Sequence, residues 1–394
     1  MLFQIFLFLL AGTLAGTITG LVPGVHINLI GLFIVTASTS FLFINPIYFV
    51  VFITAMAITH TFIDFIPSIF LGCPDTDTEL SVLPGHELLK KGLGYEAIVL
   101  TAYGSLAAVF ILLLIAFPSI FLISKIKDYL PMIIPGLLIL ASFFLISTEQ
   151  RKIPAFIAFT LSGILGLIVL NLEILKEPLL PLLTGLFGSS MLIISIKNKT
   201  QIPNQTITKI KTKLFKPLLG ALVAAPICSF LPGMGAGQAA IIGNWISKQN
   251  RKGFLVLLGA TNTLVMGFSF ISLYIIAKTR TGAAVAIQEI IGLLNYKTLI
   301  LILSITLISG ILAFFLTIFL AKFFSTKLEK VNYTILSSIT LIVLILIVFL
   351  MSGFSGLGVF IAATLIGLYC ISLKVRRTQM MGCLLLPTII FYLF

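Results

Sequence analysis

Charge is what this chain has least of. Asp, Glu, Lys and Arg together make up 9% of its residues, against about a quarter in an ordinary soluble domain. A soluble globule needs a wetted polar skin, so a soluble enzyme is excluded. A nucleic-acid binder is excluded too, despite a formal net charge of +13. Histidine is nearly as scarce, with three in 394 residues. No His-Glu-x-x-His run or Ser/His constellation supports a membrane-embedded hydrolase, and the chain reads as a non-enzyme. The four cysteines, Cys73, Cys228, Cys370 and Cys383, form no C-x-x-C pair. They read as small buried hydrophobes, not as a disulfide frame or a zinc site. The first segment lacks a basic leader and a small-residue cleavage site, so residues 2–21 read as a retained helix.

What is abundant is apolar sequence: 59% of residues are hydrophobic and the mean hydropathy is +1.21. A helix needs about 20 such residues to cross a bilayer core. The runs bounded by charge, Pro or Gly predict spans at 2–21, 47–71, 97–123, 130–147, 153–170, 179–196, 217–231, 254–277, 298–321, 333–351, 353–373 and 380–394. Two further stretches, 23–44 and 233–247, are apolar but follow Pro-Gly and are rich in small or amide residues. They read as broken or re-entrant helices, which are tolerated only where protein or a wet cavity satisfies the backbone. The expected fold is therefore an all-α, multi-pass protein of the cell membrane.

Basic residues cluster in connectors, as they do in cytoplasmic loops. The longest basic connector, 197–216, holds Lys197, Lys199, Lys209, Lys211, Lys213 and Lys216. Arg151/Lys152, Lys248/Arg251/Lys252, Lys322/Lys327/Lys330 and Lys374/Arg376/Arg377 fit the same side if both broken segments return to the side they start from. Lys125, Lys127, Lys278 and Arg280 then fall outside. The chain also repeats itself. Pro23-Gly24 recurs as Pro232-Gly233, and the helix starts at 97, 130, 153 and 179 recur at 298, 333, 353 and 380. The reading is two repeats, 1–196 and 217–394, around a basic linker at 197–216. On the charge assignment they enter the membrane from opposite sides, an inverted-topology repeat.

Paired Pro/Gly interruptions at corresponding positions point to a transporter binding site. In the first, Pro23 and Gly24 end one helix and start another, exposing free N–H groups and the positive end of a helix dipole, a ready anion site. His26 and Asn28 add donors. In the second, Pro232 and Gly233 are followed by Gly235, Gly237 and Gln238, where alternate glycines allow close approach. The plainer alternatives are a kink packed on its neighbours and small-residue helix packing. Asp64 lies in a long apolar stretch, four residues from His60, so the pair shares a helix face. An ionisable group there is a functional hypothesis, here a site for a coupling proton or sodium ion; capping at a helix end is the alternative. Thr261, Asn262 and Ser269 occupy the counterpart stretch. They either hydrogen-bond a substrate or glue helices together. The run Leu71-Gly72-Cys73-Pro74-Asp75-Thr76-Asp77-Thr78-Glu79 lacks the spacing of a calcium loop and reads as a polar turn.

Several of these stretches resemble a known family. Leu83-Pro84-Gly85-His86-Glu87, continuing through Lys90-Lys91-Gly92 into Tyr103-Gly104-Ser105, is similar to a stretch of the large permease subunit of tripartite tricarboxylate transporters. Gly16–Gly24 resembles that family's N-terminal Gly-rich break, and Leu231-Pro232-Gly233-Met234-Gly235 its second-half break. The chain departs from the family at Ile69–Asp75 and looks more like its archaeal, stand-alone branch. The resemblance implies a permease of about a dozen spans for organic anions such as carboxylates. It also implies a small membrane subunit, an extracytoplasmic solute receptor and an ion gradient as drive.

Together these readings predict a secondary active transporter for a small organic anion, a carboxylate, working by alternating access. Pro23, Gly24, His26, Asn28, Pro232, Gly233, Gly235, Gly237, Gln238 and Asn262 are the expected substrate contacts, with His60 and Asp64 on the coupling ion. No organic cofactor or metal is expected, and the sequence leaves room for a homodimer. The alternative is a translocase for a polyprenyl phosphate or other lipid carrier, since a phosphate prefers the same helix N-terminus.

Overall fold

The computed structural model describes residues 2–22, 44–72, 77–126, 129–175, 178–198, 203–207, 213–229, 235–277, 281–328 and 332–393. Helix dominates, and no strand occurs among the described residues. In chain order the helices are α1 (Leu2–Leu21), α2 (Pro46–Ile63), α3 (Phe65–Phe70), α4 (Val82–Leu89), α5 (Gly94–Ile126), α6 (Leu130–Ser147), α7 (Lys152–Leu170), α8 (Leu179–Leu183) and α9 (Ser190–Lys197). They continue as α10 (Phe215–Ser229), α11 (Ala236–Ser247), α12 (Arg251–Ile276), α13 (Gly282–Ile291), α14 (Tyr296–Leu328), α15 (Tyr333–Ser372) and α16 (Gly382–Leu393). A π-helical turn, Thr184–Ser189, joins α8 to α9.

Among the described residues, eight of these units are long and apolar enough to cross a membrane: 2–21, 46–70, 94–125, 152–170, 179–197, 251–276, 296–327 and 334–372. The expected spans at 217–231 and 380–394 form helices of 15 and 12 residues, short of the length a straight crossing needs. The expected broken segment at 23–44 lies almost wholly outside the described residues. The other one contains α11, a half-length helix of 12 residues. Helix α13 is not anticipated by the run analysis, because ten residues are too few to register as a span. Two spans expected over 333–373 appear as one element of 40 residues. At 1.5 Å per residue that is about 60 Å, twice the hydrocarbon core. The element resolves itself at Gly353, whose φ of +62° breaks the helix, a conformation glycine adopts without penalty.

The centre belongs to 46–70 and 251–276, in which all but a few residues are buried. Around them the packing is reciprocal. Unit 46–70 lies on α14, while α12 lies on α5. Further out, α7 packs on α16, and the unit 179–197 packs on α15. The α5–α12 crossing is a backbone contact. A Cβ on Gly104 would meet Val256 O at 2.1 Å, and one on Gly259 would meet Thr101 O at 2.1 Å. Ser105 Oγ donates to Gly259 O across the same crossing, at 3.0 Å. The rim is greasy: Leu114, Leu350 and Phe354 stand exposed, as a lipid-facing surface requires.

Three of the basic connectors expected on one side converge on one end of the molecule. Arg251 pairs with Glu87, Lys252 with Glu96 and Arg376 with Glu149, next to Arg151. The linker joins them. Gln205 accepts from Gly94 N at 2.8 Å and donates to Leu89 O at 3.1 Å, and Thr206 N donates to Gly92 O at 2.8 Å. The described part of the linker is thus pinned to the first half's Lys90–Gly92 turn.

Candidate functional site

Two polar loci lie within the apolar interior. The first sits where 46–70 crosses α12. Asp64 stands between α2 and α3, and the residue is buried. Asn262 Nδ2 donates to Asp64 Oδ2 at 2.9 Å and reaches toward Thr61 O at 3.4 Å. The Thr61 and Thr263 hydroxyls meet at 3.1 Å. The two counterpart stretches, 60–68 and 259–269, therefore bind each other directly. His60, expected to share a face with Asp64, engages a different neighbour: its Nδ1 lies 3.0 Å from Thr19 Oγ1 on α1.

The second locus is the N-terminus of α11. Its first N–H groups have no acceptor within the helix. Gln238 turns back so that its Oε1 accepts from Gly235 N at 2.6 Å. Asp77, from the first half of the chain, accepts from Ala236 N through Oδ1 at 3.0 Å. A negative group here is favoured by the helix dipole. A Cβ on Gly235 would stand 3.0 Å from Gln238 Oε1 and 3.2 Å from Asp77 Oδ1, so both caps would have to give way by a few tenths of an ångström. Gln238 is buried, and its Nε2 has no hydrogen-bond partner among the described residues. Gly237 is buried in the same first turn.

Two hydroxyls lie between the loci. Ser68 Oγ donates to Asp64 O at 2.8 Å and lies 2.6 Å from Thr78 Oγ1, beside Asp77. Beyond this, toward the basic end, opens a cavity of about 510 Å³. It follows one face of α11 through Ile241, Asn244, Trp245 and Lys248, and it follows Leu80, Pro84 and Glu87 beside them. Gln238 lies one helical turn further in along that face of α11, and Asp77 precedes Leu80 by three residues.

Of the expected contacts, Gly235, Gly237, Gln238 and Asn262 are described. Gly235, Gly237 and Gln238 belong to one locus; Asn262 and Asp64 belong to the other. Pro23, Gly24, His26, Asn28, Pro232 and Gly233 lie outside the described residues, as do Cys73–Thr76 and Lys278–Arg280. Asp77 is the residue that sequence reasoning leaves in a polar turn. No local signal could reveal it, because its partner Ala236 is far along the chain. His86, in the family-like stretch that follows, is buried with Nδ1 2.8 Å from Ile69 O.

Buried polar loci among greasy, membrane-length helices mark a multi-pass integral membrane protein. Residues 6–382 match the tripartite tricarboxylate transporter TctA family, and the chain belongs to that family. An uncharacterized protein of Methanocaldococcus jannaschii is 33% identical over 98% of this chain and 98% of its own length. No solved structure matches the chain. The protein is thus a component of a transporter.

Proposed function

We propose that the chain is a secondary active transporter for a small organic anion carrying a carboxylate. The observation that carries this reading is the N-terminus of α11, where Asp77 holds a carboxylate against backbone N–H. The buried amide of Gln238 lies alongside with a donor to spare. In this reading Asp77 stands in for the substrate's carboxylate when the site is empty, and a substrate displaces it. The Asp64–Asn262 pair binds the coupling proton or sodium ion. The hydroxyl chain through Ser68 and Thr78 passes a change at Asp64 to Asp77.

An internal repeat of the kind expected from the sequence would support alternating access, and three features agree with it. Helices α5 and α14 are equal in length, 33 residues each. The Ser68–Thr78 contact has a counterpart in Ser269–Thr281, whose hydroxyls lie 2.8 Å apart. Each of these pairs leads into a short helix, α4 or α13. The reciprocal packing is what a two-fold relation between halves would produce. Two halves of opposite orientation can rock about a shared site. The gathered basic end faces the cytoplasm on the positive-inside argument, so the cavity is the inward route. A small membrane subunit and an extracytoplasmic receptor accompany the chain, as the family's tripartite name implies.

The test is uptake into proteoliposomes, with a panel of di- and tricarboxylates and imposed pH or sodium gradients. Gradient-dependent uptake of one carboxylate class is the expected result. Uptake of none, with polyprenyl-phosphate transfer instead, would give the function to a lipid carrier.

A further inference from the structure

The cavity at the basic end has a chemistry that the α11 site does not need. Its walls are apolar, formed by Leu80, Phe144, Leu145, Ile241, Trp245 and Phe254. Four cations line it: Lys248, Arg251, Arg376 and Arg377. Two are answered within the chain, Arg251 by Glu87 and Arg376 by Glu149. Arg377 is not. Its Nη2 rests on the Met191 sulfur at 3.0 Å, a weak acceptor. Its Nη1 is buried with no hydrogen-bond partner, and no carboxylate pairs with it among the described residues. A guanidinium stays charged in any protein. A buried charge without a partner is costly unless something supplies one. The opening of the cavity carries Lys248, exposed and likewise without a carboxylate among the described residues.

We propose that this cavity is a second anion site, separate from the α11 N-terminus, which takes an amphiphilic anion. Its carboxylate or phosphate oxygens pair with Arg377 in the fork geometry that a guanidinium favours, and its apolar body lies along Trp245 and Phe144. Those two rings already touch, tilted at 36° with centroids 4.7 Å apart. The volume falls within the range of small-molecule pockets, about 300–1,000 Å³. Basic pockets between membrane helices on the cytoplasmic side also take anionic lipid headgroups, so two sources share the chemistry: a free organic anion and a phospholipid. The site does not depend on the transport reading, because neither Arg377 nor Trp245 belongs to the Asp77–Gln238 locus.

Trp245 is the chain's single tryptophan and lines this cavity, so its fluorescence reports on it. The full-length protein in detergent is titrated with phenylsuccinate, with short-chain dihexanoyl phosphatidylglycerol, and with the uncharged control 2-phenylethanol. A saturable emission change with either anion, together with shielding of Trp245 from iodide quenching, is the expected result. The anion that produces it identifies the source. Arg377→Gln is expected to weaken that binding at least about tenfold, the size of a charge-assisted hydrogen bond, while Arg376→Gln changes it little. Iodide shielding in the wild type needs no variant, so a poorly folding Arg377→Gln protein leaves the test intact. No saturable response to either anion, an equal response to 2-phenylethanol, or unchanged affinity in a monodisperse Arg377→Gln protein would overturn the proposal. Loss of uptake with an intact Trp245 response would sink the transport reading and leave this site standing.

Discussion

Asn262 donates a hydrogen bond to Asp64 at 2.9 Å, across the crossing of the two most enclosed membrane-length helices among the described residues. One group comes from each half of the chain. Replacing Asn262 with Ala removes a donor from a buried carboxylate, which should lower stability by about 1–3 kcal/mol. Asp64→Asn should abolish gradient-driven uptake and keep counterflow exchange. In thermal unfolding the double variant should fall well short of the summed single effects, because the two residues share one interaction. Additive losses would show the contact to be incidental.

At α11, Asp77→Asn keeps an oxygen able to accept from Ala236 N but removes the resident negative charge. A competing carboxylate should then bind about three- to tenfold more tightly, the scale of a partly buried charge at a helix terminus. Asp77→Ala removes the cap as well and should cost about 0.5–2 kcal/mol of stability. Equilibrium binding of a labelled carboxylate and thermal unfolding read the two effects separately. Weaker binding in Asp77→Asn would make Asp77 a ligand and not a surrogate.

The α5–α12 crossing leaves no room for a methyl group. Gly104→Ala and Gly259→Ala would each drive a Cβ to about 2.1 Å from a facing carbonyl oxygen. Overpacking of this kind costs about 1–3 kcal/mol, or more where backbone must move. Either variant should unfold at clearly lower temperature in detergent. Gly358→Ala, with no atom within 4 Å of the added Cβ, is the control that should not.

His86 gives a pH dependence of stability. Burial, and to a lesser degree the charges of Lys90 and Arg377, lower its pKa to about 4, against a partly opposing hydrogen bond to Ile69 O. The neutral ring donates from Nδ1 to that carbonyl. Between pH 4 and 6.5 the unfolded chain binds a proton there that the folded chain refuses. The stabilisation is therefore complete above pH 6.5 and is lost as pH falls toward 4, a change of about 3 kcal/mol. Melting temperatures across that window should fall with acidity, and His86→Gln should flatten the curve. An equally steep curve in His86→Gln would assign the effect to another group.

The spans at 2–21, 47–71, 97–123, 153–170 and 254–277 were legible, because a run of apolar residues has one physical use at that length. The break within 333–373 was legible as well, though as a gap between two spans and not as a glycine kink. Helix α13 was not, since its ten residues carry no length signal. Asn262 and Asp64 each stood out as polar groups in greasy surroundings. Their pairing did not, since nothing local in either stretch records the other's position. Asp77 was hidden for a different reason: in sequence it is one acid among several in a polar turn.

By itself, then, the sequence determined the solvent. So few charges spread over so many apolar residues can be satisfied only in lipid, with helices closing their own hydrogen bonds. Only the tertiary structure decided which polar groups meet: Asp64 with Asn262, Asp77 with the head of α11, and Arg377 with no carboxylate among the described residues. Helix formation depends on neighbours a few residues apart, and the chain records those locally. A site between helices depends on crossing points set by how close two backbones can come, which glycines such as Gly104 and Gly259 fix only once the whole bundle is packed.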